Sequence, residues 1–296
     1  MRALTLVVNC TDRKSIRPDA KCQVRSLPSG SVAERHDEWS RRLNHGHPAT
    51  PLRQLYQGEA WLQALRLAED ASERGFRVRM MVASAGLGLR HVDSLTPSYS
   101  ATFAGGQPDT VAVGAPDVRA WWRRSGDLQH SESLVESTDR RVLLVLSESY
   151  ARAMRDDLIA LGNRSGEVVM VGGAEEIAGV HRVPSDRALR AELGGTASSL
   201  NLRIARAWLA QRDDGVLWDA HADRRWTKWC HSVRREERYD RIPVDDAAIV
   251  EAIKQLIALD QSLSATRALR MFRDSGMACE QKRFGRLFRA VKVGMS

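Results

Sequence analysis

The stretch Ala3-Leu4-Thr5-Leu6-Val7-Val8-Asn9 is rich in leucine and β-branched residues and lacks polar alternation. A strand with one wet face alternates, whereas one covered on both faces reads as a continuous apolar run, as in parallel sheets flanked by helices. Phe76 to Ala83, Arg141 to Ser147 and Glu167 to Val171 repeat the pattern. Between them, Pro51 opens a helix whose Leu52, Leu55, Leu62, Leu65 and Ala68 keep near-helical spacing until Gly75, and Tyr150 to Leu161 reads as a helix closed by Gly162-Asn163. Strand, helix and strand in alternation predict an α/β fold, a mostly parallel Rossmann-like sheet with helices on both faces. The segment from Thr96 to Asp139 is less regular, with a short strand at Val111 to Val113 and a helix at Ala115 to Arg124. The polar stretch from Thr11 to Thr50 is long for a plain loop and is either functional or holds a short helix at Val32 to Arg42.

Beyond residue 185 the strand pattern stops. Ser185 to Glu192, Ser198 to Gln211, Arg224 to Glu237, Asp245 to Leu259, Ser262 to Asp274 and Cys279 to Val291 all read as helices. The expected organisation is therefore an α/β domain over residues 1–184 and an all-helical module over 185–296. No apolar run approaches the roughly 20 residues that span a bilayer, and the N-terminus lacks a signal-peptide pattern, so a soluble cytoplasmic protein without a membrane partner is expected. Cys10, Cys22, Cys230 and Cys279 share no spacing suited to a disulfide framework or zinc site. His45-Gly46-His47 has no second ligand cluster, so no metal is expected.

The net charge of +8 is unevenly placed: residues 261–296 hold eight Lys/Arg against two Asp/Glu, six of the eight net charges. Such a concentration is an electrostatic footprint for a polyanion, because phosphate contacts release counterions. Ser275-Gly276-Met277-Ala278 joins the last two helices with the length and chemistry of a helix-turn-helix joint. Ala265, Ala268, Leu269 and Phe272 on the first, with Phe284, Leu287, Phe288 and Val291 on the second, form the expected buried stripes. Gln281, Lys282, Arg286 and Arg289, with Arg283 at a shoulder, are left to reach bases and phosphates. A hairpin packed on the α/β domain, with its arginines in water, is the plainer alternative. Arg224, Arg225 and Lys228, interleaved with Trp226 and Trp229, offer a second basic and aromatic surface, although those tryptophans equally suit a docking role.

Ligands in open α/β sheets bind beyond the carboxyl ends of the strands. The first strand ends in Cys10-Thr11-Asp12-Arg13-Lys14, a thiol, a carboxylate and two cations, and a thiol beside cations suits a nucleophile. A buried small hydrophobe is the competing account of Cys10. The second strand ends in Ser84-Ala85-Gly86-Leu87-Gly88, where glycines permit close backbone approach to a ligand. There is neither GxGxxG nor GxxxxGK[ST], so no nicotinamide or P-loop nucleotide, and no other cofactor, is expected.

Leu55-Tyr56-Gln57-Gly58 with Trp61, Ser84-Ala85-Gly86-Leu87-Gly88-Leu89, Asp93, and Pro97-Ser98-Tyr99-Ser100-Ala101-Thr102-Phe103 together resemble the ordered motifs of the peroxide-stress (YaaA-like) superfamily. The first strand in that superfamily's uncharacterised bacterial relatives also often ends in Cys followed by a basic residue. The resemblance spans roughly residues 3–105. It departs at Leu87, where an aromatic is usual, and at Ser98, which separates Pro97 from Tyr99. It implies an α/β core associated with DNA binding, and gene clusters that install 7-deazaguanine bases in DNA, with a nitrile-to-amide step and modification-system proteins as partners.

The expected function is thus a DNA-acting protein that modifies a base. Cys10 would be the nucleophile, Asp12 or Arg13 would orient the substrate, and Ser84 with the Gly86 and Gly88 backbone would cradle the base or an oxyanion. Tyr56 and Tyr99 would stack on the base or hydrogen-bond to it, with Lys14 and Gly58 completing the substrate contacts. Two alternatives are a non-catalytic DNA-binding protein of stress protection or regulation, and a nucleoside or base transferase whose basic tail docks to a protein.

Overall fold

The structure, a computed structural model, describes residues 1–46, 50–164, 166–213, 215–235 and 242–294. The chain divides into two compact units, Met1–Glu236 and Glu237–Ser296.

The first unit is built on six strands: β1 (Arg2–Asn9), β2 (Phe76–Ser84), β3 (Gly88–His91), β4 (Arg141–Leu146), β5 (Glu167–Gly172) and β6 (His181–Val183). Their order in the sheet is β3-β2-β1-β4-β5-β6. All neighbours are parallel except β2 and β3, which form an antiparallel hairpin with Ser84 opposite Gly88. Consecutive residues Leu4 to Val8 are each at most 1% exposed, so both faces of β1 are covered. Its helices are α1 (Val32–Asn44), α2 (Glu59–Glu73), α3 (Ala115–Ser125), α4 (Glu148–Ala153), α5 (Arg155–Gly162), α6 (Leu200–Ala210) and α7 (Ala220–Val233). α2 packs with α6 and against β2, and α1 packs with α3, which touches α4.

Several expected elements are revised. The helix from Pro51 to Gly75 is two helical pieces, Leu52–Leu55 and α2. Gly58 between them has φ +97°, which interrupts helical geometry and leaves Tyr56 extended. The Tyr150 to Leu161 helix is likewise split at Met154 into α4 and α5. Val111 to Val113 forms no strand; the nearest pairing is a single bridge between Thr102 and Thr110. Ser185 to Glu192 is a 3-10 turn, Arg187–Leu189, running into the short helix Arg190–Leu193. The helix expected to end at Glu237 ends at Val233; residues 236 and 237, like His47, lie outside the described residues.

The unit boundary also falls later than residue 184. Leu200, Ile204, Trp208, Leu209 and Trp226 belong to the same hydrophobic core as the sheet, so the helices up to residue 235 are part of the α/β body. Trp226 sits edge-on to Trp208 at 5.5 Å and against Trp229 at 4.9 Å, which assigns both to docking α7.

The second unit contains α8 (Asp246–Leu259), α9 (Ala265–Asp274) and α10 (Gln281–Gly294). Asp245 and Ser264 cap α8 and α9 by accepting from Ala248 N and Arg267 N. Its separate core joins Ile249, Ile253 and Ile257 of α8 to Leu269 and Phe272 of α9 and Phe284 and Phe288 of α10. Gly276 has φ +86° after α9, and Met277–Ala278 pairs with Ile242–Pro243 as a two-residue parallel ladder.

Candidate active site at the strand ends

The chain leaves β1 for β2 on one side of the sheet and later returns to β4 on the other side of β1. That reversal makes the carboxyl ends of β1 and β4 the topological switch point, the place where open α/β sheets take ligands. Cys10 is the residue after β1. Tyr150 stands in the first turn of α4, the helix that follows β4. Ser147 caps that turn, its hydroxyl accepting from Tyr150 N at 3.5 Å, while Asn9 Oδ1 accepts from Ser147 N at 3.4 Å. Local capping thus sets the pair face to face, with Cys10 Sγ 2.9 Å from Tyr150 Oη.

Either group can donate in that bond; burial keeps the phenol neutral, so it holds a proton to give to sulfur whenever sulfur carries charge. Lys14 closes the other side. Its ammonium donates to Thr11 O at 3.3 Å and lies 4.4 Å from the Tyr99 ring centroid and 5.7 Å from that of Tyr56. Burial pushes the Lys14 amine below its ordinary range, opposed by Cys10, Asp12 and Asp109. Cys10 is half-buried, Asp12 and Arg13 are exposed, and Arg13 packs its side chain against Gly58.

Tyr56, Tyr99 and Ser84 converge beneath the thiol, in a different capacity from the one expected. They are 2%, 0% and 0% exposed, so none offers a ring face or a hydroxyl to an incoming base. Instead they form a hydroxyl chain, with Ser84 Oγ 2.5 Å from Tyr99 Oη and Tyr99 Oη 2.6 Å from Tyr56 Oη. Ser84 Oγ accepts from the N–H groups of Gly86 and Leu87, both at 3.1 Å, which occupies its lone pairs. Its proton therefore goes to Tyr99, and the Tyr99 proton to Tyr56. Burial raises all three tyrosines, Tyr56, Tyr99 and Tyr150, well above the usual phenol range, with Cys10 the next contributor, and they stay neutral.

The glycines serve the same packing. A Cβ at Gly86 would lie 2.5 Å from Tyr99 Cδ2, and one at Gly88, φ +71°, would lie 2.2 Å from Ser131 Oγ. Gly86 and Gly88 admit protein atoms where a ligand was expected, and Gly88 opens β3. The indoles of Trp121 and Trp39 hold the turn by donating to Ala85 O at 2.7 Å and Gly86 O at 2.8 Å. Tyr150 was not among the residues singled out in the sequence. Its only signal was its place just after the third buried strand, at the switch point.

The basic residues divide between the two units. Arg224, Arg225 and Lys228 are exposed on α7 of the first unit, and Arg225 is engaged with His221 Nδ1 at 2.6 Å and Gln211 O at 3.3 Å. In the second unit Phe284, Phe288 and Val291 are buried while Gln281, Lys282, Arg286 and Arg289 are exposed. Arg283 is held to Asp246 at 2.6 Å, and Arg286 approaches the same carboxylate at 3.6 Å. Among the described residues there is no cluster of His, Cys, Asp and Glu able to hold a metal, and no helix is long and apolar enough to cross a membrane. Comparisons with protein-family models, curated proteins and solved structures returned no match.

Proposed function

We propose that this chain is a thiol-dependent enzyme acting on a base in DNA, its chemistry centred on Cys10. The observation that carries the reading is the half-buried thiol at the topological switch point, hydrogen-bonded to a neutral phenol and flanked by a lysine ammonium. A nucleophile, a proton donor and a fixed positive charge are the parts needed to attack a polarised carbon. Hydration of the nitrile of a 7-deazaguanine base fits both this set and the YaaA-like motifs. Cys10 Sγ adds to the nitrile carbon, and the thiol proton passes to nitrogen, forming a thioimidate. Water then adds to that carbon, one of its protons going to nitrogen. The C–S bond breaks, its electron pair returns to sulfur with the second water proton, and the amide departs. Tyr150 supports the sulfur whenever it carries charge, and Lys14 supports the nitrogen as it becomes basic. A base-directed enzyme takes its target out of the stack or works on a single strand, and the basic second unit, as a helix-turn-helix-like pair, supplies the affinity for DNA.

The experiment is Cys10→Ser alongside Arg13→Ala, assayed for amide formation on nitrile-bearing DNA and for DNA affinity. Retained affinity with lost turnover in Cys10→Ser is the expected result. If neither substitution changes any measured activity, the enzyme reading fails. The non-catalytic DNA-binding protein then stands, a reading favoured by the complete burial of Tyr99 and Ser84.

A further inference from the structure

A cavity of about 580 Å³ falls within the range of ligand pockets. It begins two residues past Lys14, at Ile16 and Arg17, and its opposite wall ends at Ser98, the residue before Tyr99. The two walls are fastened together: Ser98 Oγ donates to Ile16 O at 2.6 Å, and Ser100 N donates to Cys22 O at 2.8 Å. Behind them Gly46 lets the end of α1 come close to Pro97, where a Cβ would lie 3.0 Å from that ring. The cavity is thus preformed and adjoins the segments that carry the candidate site.

Its charges are unequal. Arg17, Lys21, Arg41 and Arg42 line it, against Asp19 and Glu38 only. Glu38 is engaged by Arg41 at 2.7 Å and Arg42 at 2.6 Å, bonds that hold its carboxyl down to about 2, and Asp19 accepts from Lys21 N at 2.9 Å as a cap. Arg41 and Arg42 also sit in the last turn of α1, where cations offset the helix dipole. Arg17 and Lys21 are exposed, and neither side chain makes a hydrogen bond or ion pair among the described residues.

We infer that this cavity is a phosphate subsite, holding through Arg17 and Lys21 the backbone of a nucleic-acid strand whose base lies at Cys10. The inference rests on the reading of Cys10 as a base-directed nucleophile and adds how the strand is held beside it. Phosphate contacts position a nucleic acid without reading its sequence, so the subsite recognises a strand and leaves the choice of base to the thiol site.

The test uses the full chain and follows alkylation of the Cys10 thiol by iodoacetamide, read on the peptide that contains it. A single-stranded trinucleotide is the protecting probe, with the corresponding nucleoside and inorganic phosphate as separate arms. In the wild type the trinucleotide is expected to protect at lower concentration than the nucleoside or phosphate, with protection weakening as salt rises. In Arg17→Glu/Lys21→Glu half-protection is expected to need roughly tenfold more trinucleotide, and the salt slope to fall by about 1 per lost contact. The melting temperature should hold, since both side chains are exposed and without partners among the described residues. Equal protection of wild type and variant by the trinucleotide overturns the subsite and leaves the Cys10 reading intact, as does a nucleoside that protects as well as the trinucleotide. A wild type that no oligonucleotide protects overturns both.

Discussion

Cys10 and Tyr150 are separated by 140 positions in the chain and meet at 2.9 Å because both follow adjacent strands. Removing the phenol proton with Tyr150→Phe keeps the ring in its buried place and takes away a hydrogen bond to sulfur that is worth about 1.5–3 kcal/mol when sulfur carries charge. Alkylation of Cys10 at neutral pH should slow by roughly tenfold or more. An unchanged rate would mean that the phenol only fills space. His36 offers a second residue-scale test. It is buried edge-on to Trp121, its Nε2 lies 3.2 Å from Ser125 Oγ, and burial, aided by Arg124, lowers it to about 4. A histidine held low binds its proton less readily folded than unfolded, so its contribution is complete above the unfolded value near 6.5. It is lost as the pH falls toward 4. The urea midpoint should decline across that window, and His36→Gln should flatten the decline.

At the scale of elements, α10 shows how a helix partitions its side chains. Phe284, Phe288 and Val291 are spaced to face the core, so Gln281, Lys282, Arg286 and Arg289 turn to water. Periodicity predicted that division. It did not predict Asp246, at the start of α8, which engages Arg283 at 2.6 Å. If α10 meets DNA, Lys282→Ala and Arg289→Ala should each reduce the salt slope of binding by about 1, and Arg283→Ala should cost less, because its charge is already countered. Equal losses at all three positions in a salt titration would contradict this ordering. The turn between β2 and β3 carries a similar lesson. Gly86 and Gly88 signalled a close approach, and the approaching atoms proved to be Tyr99 and Ser131 of the same chain.

For the whole molecule, the two cores share no residue among the described ones, one centred on the sheet and one on Phe272 and Phe284. A core as small as the second leaves little margin, and Phe284→Ala removes a fully buried ring at a typical cost of about 3–5 kcal/mol. Amides of α8, α9 and α10 should then lose hydrogen-exchange protection while those of β1, β2 and β4 keep theirs. Loss of protection in both sets would show that the cores stabilise each other. The parallel sheet was legible in the sequence because strands buried on both faces read as near-continuous apolar runs, as Val142 to Leu146 does and as Leu4 to Val8 does apart from Thr5. The helical periodicity of α10 and the concentration of positive charge after residue 260 were legible for the same reason, since each is written in neighbouring residues. The tertiary structure alone decided three further matters. It assigned α6 and α7 to the α/β body, buried Tyr56, Tyr99 and Ser84 beneath the thiol, and brought Tyr150 to Cys10. Each depends on side chains far apart in sequence, and no local pattern records which distant strand end a residue will face.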